Sequence, residues 1–130
     1  MTTERQHVSS GSQYEKIYCY SRAVAVDGRI MISGTTGYDY LNDRLATGAA
    51  NQTKQIFENV RSALSRLDAS LADVVRVRIY IANAADYDAI LDVFAEAFAG
   101  INPACTAVQA GLFDPDILVE MDMDAITRGG

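Results

Sequence analysis

Hydrophobic positions recur along this chain with two different periods, and the places where one period gives way to the other mark its elements. The run IYCYSRAVAV, residues 17 to 26, is rich in β-branched and aromatic residues, and residues 29 to 33 form a second apolar run after Asp27-Gly28. An Asp-Gly pair supplies the positive φ angles of a tight turn between twisted strands, so the two runs predict a hairpin. Further on, Ile56, Val60, Ala63, Leu64 and Leu67 recur at helical spacing while Lys54, Glu58, Arg61, Ser62 and Arg66 take the other side. This predicts an amphipathic helix over about 50 to 67. Ser70 stands three residues before Asp73, an imperfect capping pattern for a short turn. In VVRVRIYI, Val75, Val77, Ile79 and Ile81 alternate with Arg76, Arg78 and Tyr80, which predicts a strand with two unlike faces. A second helix follows over about 84 to 99, with Tyr87, Ile90, Leu91, Phe94, Ala97 and Phe98 on one stripe and Gly100 as its stop. ACTAVQA reads as a strand, GLFDPD as a turn, and ILVEMDMDAI as a last strand in which Glu120, Asp122 and Asp124 alternate with Val119, Met121 and Met123.

The order is ββαβαββ, the pattern of an α+β fold in which one mixed sheet carries both helices on a single face. Residues 1 to 16 are polar, with Ser9, Ser10, Gly11 and Ser12 clustered, and read as a flexible N-terminal arm; residues 17 to 130 read as one domain. Residues 33 to 48 read as a polar loop, where Tyr38 and Tyr40 are candidates for a lid. Helices on one side only leave the other face of the sheet in need of cover, which predicts a homo-oligomer.

Charge and composition narrow the chemistry. The chain has 130 residues, 11 basic against 17 acidic, and a net charge of −6. Such a surface repels phosphate backbones, so nucleic acid is excluded as a partner. No apolar run approaches the ~20 residues that span a bilayer, and the first residues lack the apolar stretch of a signal peptide, so the expected location is the cytoplasm, without membrane contact. Two cysteines, Cys19 and Cys105, are too few for a disulfide framework, and a lone histidine, His7, leaves no metal site and no histidine base for a nucleophile. The remaining candidates are carboxylates, tyrosines, a thiol, hydroxyls, arginines and backbone amides.

Several strings then stand together in order: IMISG ending at Gly34, QTKQIFENV, ASLADVVRVRIYI, NPACTAVQAGL and LVEMDMDAI. Together they resemble the Rid family of reactive imine deaminases, the YjgF or L-PSP type, over about residues 20 to 126. The resemblance implies a chorismate-mutase-like fold, a homotrimer with a small-molecule cleft between subunits, and cofactor-free hydrolysis of amino-acid imines or enamines to a keto acid and ammonia. In the family an arginine within Pro-Ala-Arg-Ser/Thr anchors the substrate carboxylate through a bidentate pair. Here that segment is Pro103, Ala104, Cys105, Thr106: the arginine is absent.

The resemblance carries over further residues one at a time. Tyr20 matches the tyrosine of the first strand, Ser33 and Gly34 the Ser-Gly after the second, Ala107 the backbone amide offered to the ligand, and Glu120 the acid of the last strand. Glu120 and Tyr20 are thus the catalytic candidates, with Ser33, Gly34, Cys105, Thr106 and Ala107 lining the ligand. Arg22, two residues after Tyr20 on the same predicted strand face, is a candidate to replace the missing anchor. For Cys105, ordinary packing competes with a role as nucleophile, because no histidine is available to activate it. For Asp122 and Asp124, a charge ladder opposite Arg76 and Arg78 competes with a role in the site. Two functions stay open: an imine or enamine deaminase of altered substrate preference, and a non-catalytic trimeric metabolite binder or regulator. An endoribonuclease, another name in this family, fits the acidic, histidine-poor chain least.

Overall fold

The computed structural model of the protein describes residues 4–127. One six-stranded sheet dominates, in the order β1-β2-β3-β8-β6-β7, with a separate two-stranded ribbon β4-β5. Its strands are β1 (Gln6–Val8), β2 (Ala23–Val26), β3 (Arg29–Thr36), β6 (Val74–Ile81), β7 (Ala104–Gln109) and β8 (Val119–Ile126); the ribbon pairs β4 (Tyr38–Asp39) with β5 (Arg44–Leu45). All pairings in the sheet are antiparallel except β6 with β7, which makes it mixed, as expected.

The β2–β3 hairpin turns at Asp27 and Gly28, both at positive φ (50° and 77°), the conformation for which an Asp-Gly pair is suited. Helix α2 (Ala49–Ser65) buries Ile56, Phe57, Val60, Ala63 and Leu64, and helix α3 (Tyr87–Phe98) buries Ile90 and Phe98. These meet Ile30, Ile32, Val77, Ile79, Met121 and Met123 from the sheet in one core. Phe57, Phe94 and Phe98 seal the helix pair, with ring centroids 4.8 to 6.4 Å apart. No described helix is long and apolar enough to cross a membrane.

Three details differ from the sequence reading. The described part of the N-terminal stretch is built into the fold: β1 pairs with β2, and a short helix α1 (Gln13–Tyr18) follows, with Ser12 as its N-cap. Ile17 and Tyr18 are therefore helical, and β2 starts only at Ala23, after Cys19 turns the chain at φ 61°. The expected alternation in β6 is broken by a bulge at Val75: Val74 is buried beside Ala125, Val75 is exposed, and the two-residue period resumes at Arg76. The expected loop 33 to 48 gives its first four residues to β3 and folds the ribbon β4-β5 from part of the rest.

Candidate functional site

Strand β3 is irregular where the Ser-Gly pair falls. Ile32 faces Met123 and Thr35 faces Met121, so Ser33 and Gly34 together oppose the single residue Asp122 in a β-bulge. A Cβ on Gly34 would overlap the carboxylate of Glu120, whose side chain rests on the bare glycine. Glycine is required here for that close approach, not for an unusual φ. Ser33 closes the neighbouring contacts: its amide donates to Arg22 O at 2.9 Å and its hydroxyl to Ser21 O at 2.7 Å.

Arg22 lies behind this bulge, 5% exposed. Its Nη1 donates to Gly34 O at 2.5 Å and to Thr35 Oγ1 at 3.2 Å, while Nε and Nη2 donate to Glu15 Oε2 at 3.2 and 3.1 Å. Glu15, on α1, is 4% exposed and also accepts from the amide and hydroxyl of Ser10. Burial alone would raise the Glu15 carboxyl, but the Ser10 hydrogen bonds and the Arg22 guanidinium outweigh it and hold it below its ordinary value. All four of these donor contacts are made within the chain, so the guanidinium is held between α1 and the bulge of β3. Tyr20 is outside the strand in which the sequence placed it, 43% exposed in the connection from α1 to β2, with its ring centroid 5.9 Å from Arg22 Cζ.

Glu120 is half-buried. Desolvation pushes its carboxyl above the ordinary value, the Arg22 charge pulls against that rise, and the Asp122 charge adds to it. A carboxyl tuned towards neutrality can both give and take a proton. Asp122 is engaged elsewhere: it accepts from Arg78 Nη1 at 2.8 Å and from Tyr80 Oη at 2.7 Å, while Asp124 lies 3.8 Å from the same Arg78 nitrogen. The charge-ladder reading of these two aspartates matches this geometry, with Arg78 as the basic rung.

Cys105, Thr106 and Ala107 occupy β7, the far edge of the sheet, where every residue is exposed. They pair in register with Val77, Arg78 and Ile79, whereas Glu120 pairs with Tyr80. Two strand spacings across and three residues along put Cys105 roughly 14 Å from Glu120. Within one chain the candidates thus form two groups, Tyr20–Arg22–Ser33–Gly34–Glu120 and Cys105–Thr106–Ala107. Desolvation pushes the Cys105 thiol up, which leaves it protonated near neutral pH and argues against a nucleophile.

The tyrosine loop lies elsewhere. Tyr38 and Tyr40 pack with ring centroids 5.0 Å apart, and Tyr38 Oη bonds Asp43. Asp39, Tyr40 and Leu41 border a cavity of about 350 Å³ that is also lined by α2 residues such as Asn59 and Ser62. Arg22 also lines this cavity, but Glu120, Gly34 and Cys105 do not. The sequence reading missed Glu15, the buried partner of Arg22, and Gln52, which donates to Asp116 O at 3.0 Å and accepts from Leu118 N at 2.9 Å. No cluster of three or more potential metal ligands occurs among the described residues.

A mixed sheet under two helices agrees with what comparison with known proteins finds. The family model described as Endoribonuclease L-PSP matches residues 11–127, and the chain belongs to this family, also called Rid or YjgF. It is similar to the 3-aminoacrylate deaminase RutC of Acinetobacter baylyi, 39% identical over 103 residues, covering 78% of this chain and 82% of the relative. A RutC family protein of Pyrococcus abyssi is 33% identical over 104 residues, 79% of this chain and 82% of that one. Among solved structures, a YjgF/YER057c/UK114 family member from Mycobacterium tuberculosis superposes with a TM-score of 0.84 at 35% identity, covering 95% of this chain and all of the other.

Proposed function

We propose that the protein hydrolyses small imines or enamines to a carbonyl compound and ammonia, with Glu120 as the proton-transfer group and Tyr20 as a second catalytic candidate. The observation that carries this reading is the half-buried Glu120 carboxyl, raised by desolvation and seated on Gly34, in a chain 39% identical to a relative named as a 3-aminoacrylate deaminase. In its protonated form Glu120 can protonate an enamine carbon to give the iminium; as carboxylate it can take a proton from the water that attacks that carbon, pass it to the nitrogen of the resulting carbinolamine, and take the hydroxyl proton as the C–N bond breaks, so that ammonia leaves and the carbonyl forms. Cys105 lies too far from Glu120 to share one small substrate within a chain, so a site using both residues draws them from two copies, in keeping with the cleft-forming homotrimer that the family resemblance implies. Cys105 in place of an arginine shifts preference away from substrates bound mainly through a carboxylate. Ammonia release from freshly generated 2-iminobutyrate and related imines, measured against protein-free decay, tests the activity. No acceleration with any of them would refute it.

One observation favours a second reading, a trimeric binding protein without catalysis. Cys105 offers a neutral thiol where a cation would hold the substrate, and losing a charge-assisted pair costs a carboxylate ligand about 1.5–3 kcal/mol. Under this reading a Cys105→Arg variant acquires deaminase activity that the natural chain lacks.

A further inference from the structure

We propose that Glu15, on the short N-terminal helix, is a positioning residue for Glu120 and acts on it through Arg22. The inference rests on Glu120 as the proton-transfer group and assigns to the N-terminal segment control over its charge and place.

The connection is continuous. Glu15 Oε2 takes two donors of the Arg22 guanidinium, which fixes the plane of the fork. The opposite edge of the same guanidinium then donates to Gly34 O and Thr35 Oγ1, the residues that form and close the bulge in β3. The Glu120 carboxylate lies on Gly34 itself. Arg22 therefore touches the seat of Glu120 on one side and its own holder on the other, and both members of the ion pair are buried. Inside a protein such a charge is screened far less than at the surface.

Among the described residues, Arg22 is the one cation acting on Glu120. Its strand neighbour Asp122 is an anion whose oxygens are occupied by Arg78 and Tyr80; β6 presents Tyr80 opposite it, β3 presents Thr36, and Tyr20 stands against Arg22. The Arg22 charge pulls the Glu120 carboxyl down while burial and Asp122 push it up. Glu15 in turn decides how that cation is shared. With Glu15 present, the guanidinium is drawn towards α1 and only partly serves Glu120. With Glu15 neutral and Nη1 still held by Gly34 and Thr35, Glu120 becomes the carboxylate that Arg22 serves.

The experiment reads the titration of the Glu120 carboxyl directly by carbon-13 NMR of labelled glutamate side chains, the signal being assigned by its absence in Glu120→Gln. Glu15→Gln is expected to move the Glu120 titration to lower pH. Arg22→Gln, and the double variant Glu15→Gln/Arg22→Gln, are expected to move it to higher pH. The double variant buries no unpaired charge, so it carries the test where the single arginine variant does not fold. The acid limb of the kcat/KM profile for imine hydrolysis should shift in the same directions, whereas a merely structural role lowers the rate at every pH and leaves the limb in place. An unmoved Glu120 titration in Glu15→Gln or in the double variant overturns the proposal. Because the NMR titration needs no turnover, inertness of the natural protein towards imines would refute the deaminase reading and still leave this inference decided.

Discussion

Between β3 and β8 the candidate residues are packed on one another, whereas along β7 they lie in the open. Glu120 rests on Gly34, Gly34 is bonded to Arg22, and Arg22 is locked to Glu15, all within one chain. Among the described strands, Cys105, Thr106 and Ala107 pair with β6 alone. On the proposed reading, the difference separates what a single chain preorganises, a proton-transfer group held in place, from what it only offers, a rim for something else to complete. It also separates two kinds of substitution: on that reading a change in the packed group should alter chemistry, and a change at the edge should alter what is bound.

The sharpest way to break the comparison is Glu120→Gln. If the packed group performs the chemistry, ammonia release falls by ~10²–10⁴-fold, the usual range for loss of a general acid or base. The same substitution should stabilise the fold at neutral pH. With the folded carboxyl raised, its protonated form favours folding; that contribution is present in acid and lost as pH rises through the folded value, so above it the ionised group is a cost. Thermal melts should place the glutamine variant above the natural protein at pH 7, with the gap closing in acid. Next in size is Gly34→Ala, whose methyl group must displace the Glu120 carboxylate. Misplacement by ~1 Å is expected to cost on the order of 10²-fold in kcat with the protein folded, as checked by circular dichroism.

Cys105→Arg tests the edge. For a substrate that bears a carboxylate, KM should fall by about 10–100-fold, with kcat changed less, since a charge-assisted pair acts mainly in binding. A kcat effect larger than the KM effect would place the edge within the chemistry and erase the distinction. The smallest effect belongs to Arg78→Gln on the open face. Its partners Asp122 and Asp124 are partly exposed, so the melting temperature should move by no more than ~2 °C, and ammonia release should stay at the natural rate.

The strong periodicities of the sequence carry most of the fold, and for a physical reason: Ile56, Val60 and Leu64 in α2, or Met121 and Met123 in β8, are buried because their spacing leaves no other face available. Legibility fails where a local irregularity interrupts a period. Alternation puts Val75 on one face with Val77 and Ile79, yet Val75 is exposed while they are buried, because a bulge adds one residue that no hydropathy pattern announces. The helix α1 was hidden for a different reason. IYCYSRAVAV reads as one strand from its composition, but its first two residues are helical and Cys19 breaks the chain direction. A signal was present: Ser12 stands three residues before Glu15, the spacing of a helix start, and Ser12 does cap α1. Recognising it would have freed Glu15 as a buried partner for Arg22. Which carboxylate an arginine chooses depends on tertiary contact, and no spacing rule supplies that.

The parallel pairing of β6 with β7 has a consequence for the order of assembly. Antiparallel neighbours such as β2 and β3 meet across a tight turn, but β7 reaches β6 only after the chain has crossed over through α3. Its ladder nonetheless joins residues nearer to one another in sequence than the ladders of β8 with β3 and β6 do, so loop closure lets β7 pair with β6 before β8 docks between β6 and β3. As an edge strand paired on one side only, β7 leaves its outer amides open, and these should exchange with deuterated solvent before those of the central strand β8.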